Sequence, residues 1–152
     1  MTAKPTPEGY HTATAYLSIS GAKDAIEFYK LAFGATEVLR LSTPTGDLAH
    51  AEIKIGDSHI MLSEACSESP MPSPETLGGS TVAVHLYVDD VDAIFAQAID
   101  AGALDINSVE DQFYGDRTGT LQDQFGHIWF VGTHKEDQSM EEIEKRAKAL
   151  FA

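Results

Sequence analysis

Three side chains stand out as candidates for acid–base chemistry or metal binding. His50 and Glu52 alternate along one predicted strand, and His85 lies on another. Residues two apart on a strand share a face, so His50 and Glu52 point the same way. An imidazole can move a proton near neutral pH, and with a carboxylate it can hold a divalent ion. The alternative is a solvated strand face for His50 and Glu52, with His85 as a buried, hydrogen-bonded histidine.

Four further residues are candidate contacts for a ligand. Tyr16 lies on the first predicted strand, at the place that corresponds to His85 in a second, similar segment. Tyr114 and Arg117 open a later strand, and a guanidinium there can hold an anionic group by two parallel hydrogen bonds. The alternative for Arg117 is a turn that locks its own loop. Trp129 either lines an apolar wall of the same site or fills the core.

Several other Asp, Glu, Cys and His residues are weaker candidates for catalysis or ligand binding. The aspartates at 89, 90 and 92 lack the spaced loop that calcium needs, so helix capping is the better interpretation. Cys66 lies in a predicted loop with no histidine beside it, and no nucleophilic role is assigned. Glu64 is a further candidate carboxylate for the site, while His127 is expected to bond locally at its turn. No role is assigned to His11, His59 and His134.

A repeated segment organises the elements that must position these residues. Residues 25–35 and 93–103 both begin with Ala-Ile and end with Gly-Ala, 68 residues apart. Each has the apolar spacing of an amphipathic helix and ends at a glycine, the residue that best adopts the left-handed conformation after a helix. A predicted strand precedes each helix and three follow it. The pattern therefore indicates a βαβββ unit that occurs twice.

The two units predict an α+β fold, with paired curved sheets that enclose a cleft and an additional C-terminal helix. We expect one domain over 1–152, with module 1 at about 10–65, a linker at 66–79, module 2 at about 80–134 and a helix at 139–151. Residues 139 and 142 have the spacing of a capping box. The predicted strands are 12–20, 36–42, 48–55, 58–64, 81–88, 104–109, 116–122 and 127–133.

Composition narrows the partners. The formal net charge is −14, which argues against nucleic acid and against anionic membrane surfaces. No run of about 18 apolar residues suggests a transmembrane segment, and the N-terminal residues do not form a secretory signal. A single cysteine is compatible with a reducing cytoplasm, which we expect as the location. Small molecules and proteins remain as partners.

Several motifs together resemble a known family. The chain resembles the vicinal oxygen chelate superfamily of glyoxalases, bleomycin resistance proteins and dioxygenases, and within it the PhnB-like branch. This resemblance implies a homodimer and a divalent metal site. However, the positions that match the family's metal ligands are Thr14, Ile60, Ala83 and Phe130, so we expect no metal there. The motifs are AIEFY at 25–29, HAEI at 50–53, HLYVDDVD at 85–92, YGDR at 114–117 and DQFGHIW at 123–129.

Three functional hypotheses follow. The first is a protein that binds a small molecule in the cleft without a metal, as the bleomycin resistance proteins do. The second is a divalent-metal-dependent lyase, isomerase or transferase of the glyoxalase class, with shifted ligands at His50, Glu52 and His85. The third is a protein-interaction module with a vestigial cleft. The cofactor is accordingly either none or a divalent metal.

Overall fold

The first half of the chain forms one βαβββ unit. The computed structural model describes residues 2–152. A strand is followed by a helix that ends where Gly34 adopts a left-handed conformation, with φ at 68°, and three strands then complete the unit. The elements are β1 (Tyr16–Ile19), α1 (Ala22–Phe33), β2 (Thr36–Ser42), β3 (Leu48–Ile55) and β4 (Ser58–Glu64).

The second half repeats this order after a linker that contains a short helix. Ser73 caps this helix by accepting a hydrogen bond from the Thr76 amide, and proline occupies its first turn. The elements are α2 (Pro74–Leu77), β5 (Ala83–Tyr87), α3 (Val91–Asp100), β6 (Leu104–Asp111), β7 (Asp116–Gln122), β8 (Ile128–His134) and α4 (Met140–Leu150).

The two units build two four-stranded sheets of the same topology. The strand orders are β1-β4-β3-β2 and β5-β8-β7-β6. In each sheet the first strand runs parallel to the last, and the remaining pairs are antiparallel. The predicted duplication and α+β class are thus confirmed, and β2, β3, β4 and β7 have the predicted bounds.

The core lies between the helices and one face of each sheet. α1 packs over β1, β3 and β4, while α3 packs over β6, β7 and β8 and against α1. The Gln97 amide of α3 donates to the carbonyls of Leu31 and Ala32 at the end of α1. The two modules therefore share one core, which buries their helices side by side.

Some elements differ from the predictions. β1 is shorter than predicted. Before it, the Ala15 carbonyl accepts from the Met61 amide of β4, and further upstream His59 stacks on Tyr10 and bonds the Gly9 carbonyl. α2 was absent from the predicted linker. α4 begins with Ser139 accepting from the Glu142 amide, as the capping spacing predicts, and it buries no residue. Within residues 2–152, no helix has the length and apolar character to cross a bilayer.

Candidate functional site

Each sheet has one face covered by helices and one that we call its open face. On β3 and β4 the helix-facing side chains, such as Ile53 and Leu62, are fully buried. Side chains alternate along a strand, so their neighbours point the other way. His50, Glu52 and Tyr16 belong to this second set. The polar half of β3 therefore lies on the open face, as the sequence predicts.

On the open face of module 1, three of the predicted site residues form one hydrogen-bonded chain. The Tyr16 hydroxyl lies 2.8 Å from His50 Nδ1, and His50 Nε2 lies 3.0 Å from Glu52 Oε1. Glu52 is only 8% exposed although it carries a carboxylate. We call Tyr16, His50 and Glu52 the relay. It crosses the sheet over Met61, which pairs with both Tyr16 and Glu52 in the ladder.

The relay determines where its protons lie. An ionised carboxylate only accepts hydrogen bonds, so His50 Nε2 carries a proton and donates to Glu52. When the imidazole is neutral, Nδ1 has a lone pair and accepts from the Tyr16 hydroxyl. The phenol oxygen then has only lone pairs left for a third group. This orientation makes Tyr16 a hydrogen-bond acceptor toward the open face.

The open face of module 2 has the same frame but different chemistry. His85 pairs with Phe130 as Tyr16 pairs with Met61, so His85 corresponds to Tyr16 as predicted. The ring centroid of His85 lies 6.1 Å from that of Phe130 and 4.6 Å from that of Tyr87. The positions that correspond to His50 and Glu52 are Thr118 and Thr120. Module 2 therefore has no counterpart of the relay.

Module 2 carries its own charged network at the far end of its sheet. Asp116 is buried, accepts from the Tyr87 hydroxyl at 3.0 Å, and lies 2.6 Å from His134 Nδ1. His134 Nε2 lies 2.8 Å from Asp137. The hydrogen bonds to Asp137 and Asp116 raise the pKa of His134, and the bond to Asp116 raises the pKa of Tyr87. Both ring nitrogens of His134 thus act as donors between two carboxylates.

Two cavities lie along the seam where β1 faces β5. The larger has a volume of about 450 Å³ and is lined by both strands, by the linker and by the start of β8, including Tyr16, Met71, Ala83 and Ile128. The smaller, of about 210 Å³, is lined by His85 and by the chain before β1. Tyr16 and His85 therefore line different cavities, which share Ala15 and Val84.

The positions that match the superfamily's metal ligands do not fit a metal. Ile60 was predicted as one of them, but it pairs with Ile53 on the helix-facing side and is buried. Met61 is the open-face residue that corresponds to Phe130, so it takes the place assigned to Ile60. Thr14, Met61, Ala83 and Phe130 supply no imidazole or carboxylate. That no metal ion binds at these positions stays a prediction.

The alternative metal set does not assemble either. Across residues 2–152, no group of three or more His, Cys, Asp or Glu side chains is arranged to hold a metal ion. His50 and Glu52 are adjacent, whereas His85 packs against Tyr87 and Phe130 on the other sheet. The shifted ligand set of His50, Glu52 and His85 is therefore not formed, and no metal-dependent step follows from it.

Two predicted ligand contacts lie on the helix side of module 2. Trp129 is fully buried and its ring lies 4.7 Å from Phe33 and 5.1 Å from Tyr29, so the core interpretation is the one that the structure supports. Arg117 binds Asp92 at the start of α3 through two nitrogens, at 2.8 and 2.9 Å, and Asp111 at 3.2 Å. These bonds raise the pKa of Arg117 and lower that of Asp92. Neither side chain faces the relay.

The remaining predicted residues have structural contacts. Glu64 accepts from the Gly21 and Ala22 amides and caps α1, so it is not a cleft carboxylate. Asp90 caps α3 as predicted. His127 bonds locally at its turn as expected, through its amide to Asp123, and its ring Nε2 also donates to the Ser18 carbonyl of β1 at 3.2 Å. Tyr114 is half-buried in the loop before β7, edge-on to Phe113.

Sequence reasoning missed a buried carboxylate that accepts four hydrogen bonds. Asp123 is 1% exposed and accepts from the Tyr29 hydroxyl at 2.7 Å and from Trp129 Nε1 at 2.9 Å. It also accepts from the amides of Phe125 and His127 in its own turn. Burial and Asp123 together raise the pKa of Tyr29. The turn composition Asp-Gln-Phe-Gly was a signal for the local bonds, while the bond to Tyr29 depends on how the modules pack.

The comparisons with known proteins agree with this fold. Residues 11–131 match the model of the Glyoxalase/Bleomycin resistance protein/Dioxygenase superfamily. The chain is similar to the protein Mb0911c of Mycobacterium bovis, with 41% identity over 133 residues that cover 85% of this chain and 87% of the relative. It is also similar to the Arabidopsis thaliana protein At5g48480, with 30% identity over 121 residues that cover 74% of this chain and 71% of that protein.

Solved structures extend the likeness to the whole architecture. The structure of At5g48480 superposes with a TM-score of 0.64 at 27% identity and covers 80% of this chain and 98% of that one. A PhnB protein from Bacillus cereus has the same fold, with a TM-score of 0.64 at 15% identity over 81% of this chain and 99% of its own. With the matched family model, these results establish that the chain belongs to the Glyoxalase/Bleomycin resistance protein/Dioxygenase superfamily.

Proposed function

We propose that the protein binds a small molecule in the larger seam cavity, without a metal ion. The observation that carries this proposal is the cavity of about 450 Å³ between the modules, a volume typical of ligand sites. Its lining is largely apolar and includes Met71, Ala83 and Ile128, with Tyr16 at one side. The residues at the superfamily's metal positions are unsuited to metal, which favours binding by shape and hydrogen bonds.

A thermal shift screen tests this proposal directly. A ligand that prefers the folded state must raise the melting temperature. At a concentration one hundred times its Kd, it adds about 2.7 kcal/mol to the free energy of unfolding. We expect at least one compound from a panel of small aromatic, cationic and thiol-conjugate molecules to do so, equally with and without EDTA. A shift that requires a divalent ion, or a panel in which no compound shifts the protein, would contradict the proposal.

A pair of variants then locates the site. Ala83 lines the cavity from the exposed face of β5, so Ala83→Phe fills the space without entering the core. Leu31 is exposed on α1, and Leu31→Phe adds a comparable ring outside the cavity. We expect the first variant to abolish the ligand-induced shift and the second to preserve it. Retention of the shift in Ala83→Phe would place the site elsewhere.

We also propose that the chain forms a homodimer in a reducing, cytoplasmic setting. The outer strands β2 and β6 expose apolar side chains at Val38, Leu41, Leu104 and Ile106, and an exposed apolar sheet edge is commonly covered by another chain. Cys66 is free and exposed, as suits a compartment without disulfides. Light scattering that gives the mass of one 16.4 kDa chain would contradict the dimer.

A further inference from the structure

Three of the four hydroxyl residues on the cavity lining use their hydroxyl hydrogens within the protein. The hydroxyl of Ser18 donates to the Met71 carbonyl at 2.7 Å, and that of Ser80 donates to the Val82 carbonyl at 2.8 Å. With a neutral imidazole whose Nε2 donates to Glu52, His50 Nδ1 accepts from the Tyr16 hydroxyl. Tyr16, Ser18 and Ser80 line the larger cavity, and their hydroxyl oxygens retain only lone pairs for a ligand. Thr81 is the fourth hydroxyl residue of the lining, so acceptors outnumber hydroxyl donors there.

The charge near this lining has one sign. Glu52 is nearly buried, and within residues 2–152 its ion-pair contact is with His50 and not with a lysine or arginine. Lys54 shares that face but is not on the cavity lining. The cavity lining itself contains no Lys, Arg, Asp or Glu. The Glu52 carboxylate lies behind this lining and is joined to the Tyr16 hydroxyl through His50, so an ionised Glu52 favours a cation over an anion in the cavity.

These observations define the ligand class. We propose that the seam cavity selects a molecule with an apolar body and a protonated nitrogen, such as a primary ammonium or an amidinium, whose N–H groups donate to Tyr16 and the neighbouring hydroxyl oxygens. Charged donors form hydrogen bonds about twice as strong as neutral donors do. The apolar body packs against Met71, Ala83 and Ile128. This inference rests on the proposed function, since it assigns the ligand of the same cavity.

The difference between the modules supports a role of the relay in binding rather than in folding. At the corresponding places in module 2, Thr118 and Thr120 replace the imidazole and the carboxylate, and the sheet has the same topology. In module 1 the buried carboxylate needs the imidazole as its partner, whereas module 2 forms the same sheet with neither group. The fold does not require the pair at this position, which favours a role in contacting a ligand.

Three probes with one ring test the inference on the wild-type protein. Benzylammonium, benzyl alcohol and benzoate differ in charge and donor capacity but share their apolar body. We expect benzylammonium to bind about tenfold more tightly than benzyl alcohol, and benzoate to bind most weakly, by NMR titration at physiological salt. Chemical shift changes should centre on Tyr16 and Ala83. Equal affinities, tighter binding of benzoate, or shifts centred elsewhere would overturn the inference.

Matched variants separate the relay from the overall charge. Glu52→Gln keeps the shape and removes the charge, so the preference for benzylammonium over benzyl alcohol should fall to about twofold or less. Tyr16→Phe should weaken both. Glu27→Gln removes one charge from an exposed site on α1 and should leave the preference intact. An unchanged preference in Glu52→Gln, or an equal loss in Glu27→Gln, would also overturn the inference.

The outcomes also distinguish this inference from the proposal on which it rests. If the probes bind in the cavity without a preference for the cation, the assigned ligand class is wrong and the binding function stands. If neither the probes nor the broader panel binds there, both are wrong. If Glu52→Gln does not fold, the order of the three probes on the wild-type protein still decides the question.

Discussion

The two modules agree on their helix-facing sides and differ on their open faces. Behind both sheets the side chains are apolar and buried, from Ile53 and Leu62 in module 1 to Leu121 and Trp129 in module 2. In front, module 1 carries the relay, whereas module 2 carries threonines and an aromatic patch around His85. The comparison shows that the duplicated fold depends on the helix-facing side chains of each strand. The open-face side chains were free to diverge, and that is where ligand chemistry can reside.

The largest expected effect comes from adjacent residues on opposite faces. Trp129 is fully buried while Phe130 is 39% exposed. Trp129→Ala should lower the free energy of unfolding by about 3–5 kcal/mol, because it removes a core ring and leaves a cavity. Phe130→Ala should cost about 1 kcal/mol. Urea denaturation measures both, and similar costs for the two variants would break the contrast between the faces.

If Trp129→Ala does not fold, a smaller truncation serves the same comparison. Val131 is fully buried on the same face of β8. Val131→Ala should cost about 2 kcal/mol, still more than Phe130→Ala. The order of the two costs, rather than their size, then carries the conclusion.

The next effect compares a turn carboxylate in each module. Asp123→Ala should cost about 3 kcal/mol, because buried donors lose their acceptor. Asp57, in the corresponding turn of module 1, is exposed and bonds the hydroxyl of neighbouring Ser58. Asp57→Ala should therefore change the free energy of unfolding by less than about 0.5 kcal/mol. A loss in Asp123→Ala as small as that in Asp57→Ala, measured in urea, would show that the bond from Tyr29 to Asp123 does not hold the modules together.

A smaller effect on stability depends on pH and comes from His134, whose charged network in module 2 has no counterpart in the relay of module 1. The pKa of His134 is raised in the folded state by Asp137 and Asp116. The folded protein thus binds this proton more tightly than the unfolded chain does. The resulting stabilisation is fully present below the ordinary histidine pKa of about 6.5 and is lost as pH rises through the folded-state pKa.

Two variants test this dependence. The free energy of unfolding should fall less between mildly acidic and alkaline pH in His134→Asn than in the wild-type protein, because the contribution of His134 is gone. Urea midpoints measure this. Asp137→Asn should lower the pKa of His134 toward its ordinary range in an NMR titration, since it removes the contact with the largest influence. An unmoved His134 pKa in Asp137→Asn would contradict the network as described.

The smallest effect concerns Arg117. Its guanidinium lies on the helix side and binds Asp92 and Asp111 at an exposed position. Exposed ion pairs contribute little, so Arg117→Gln should barely move the urea midpoint. It should also leave the affinity for benzylammonium unchanged, unlike Tyr16→Phe. A loss of affinity in Arg117→Gln would show that the ligand extends around the edge of the sheet.

The duplicated Ala-Ile and Gly-Ala segments and the alternation from Leu48 to Ile55 were enough to predict the fold. Both are patterns over a few consecutive residues, and such patterns indicate a strand or a helix whatever that element packs against. The same alternation placed His50 and Glu52 on one face. The linker helix α2 escaped prediction because four residues carry too little periodicity, and Ile60 was assigned to the wrong face by one residue.

What the sequence determined by itself is the repeat, the class of fold and the polar face of β3, because each follows from spacing along a few consecutive residues. Tertiary structure alone decided which distant residues meet. It joined Tyr16 to His50, Tyr29 to Asp123 and His127 to Ser18, across 34, 94 and 109 positions of the chain. The physical reason is that these contacts depend on strand order and on the packing of α1 against α3, which no local pattern encodes.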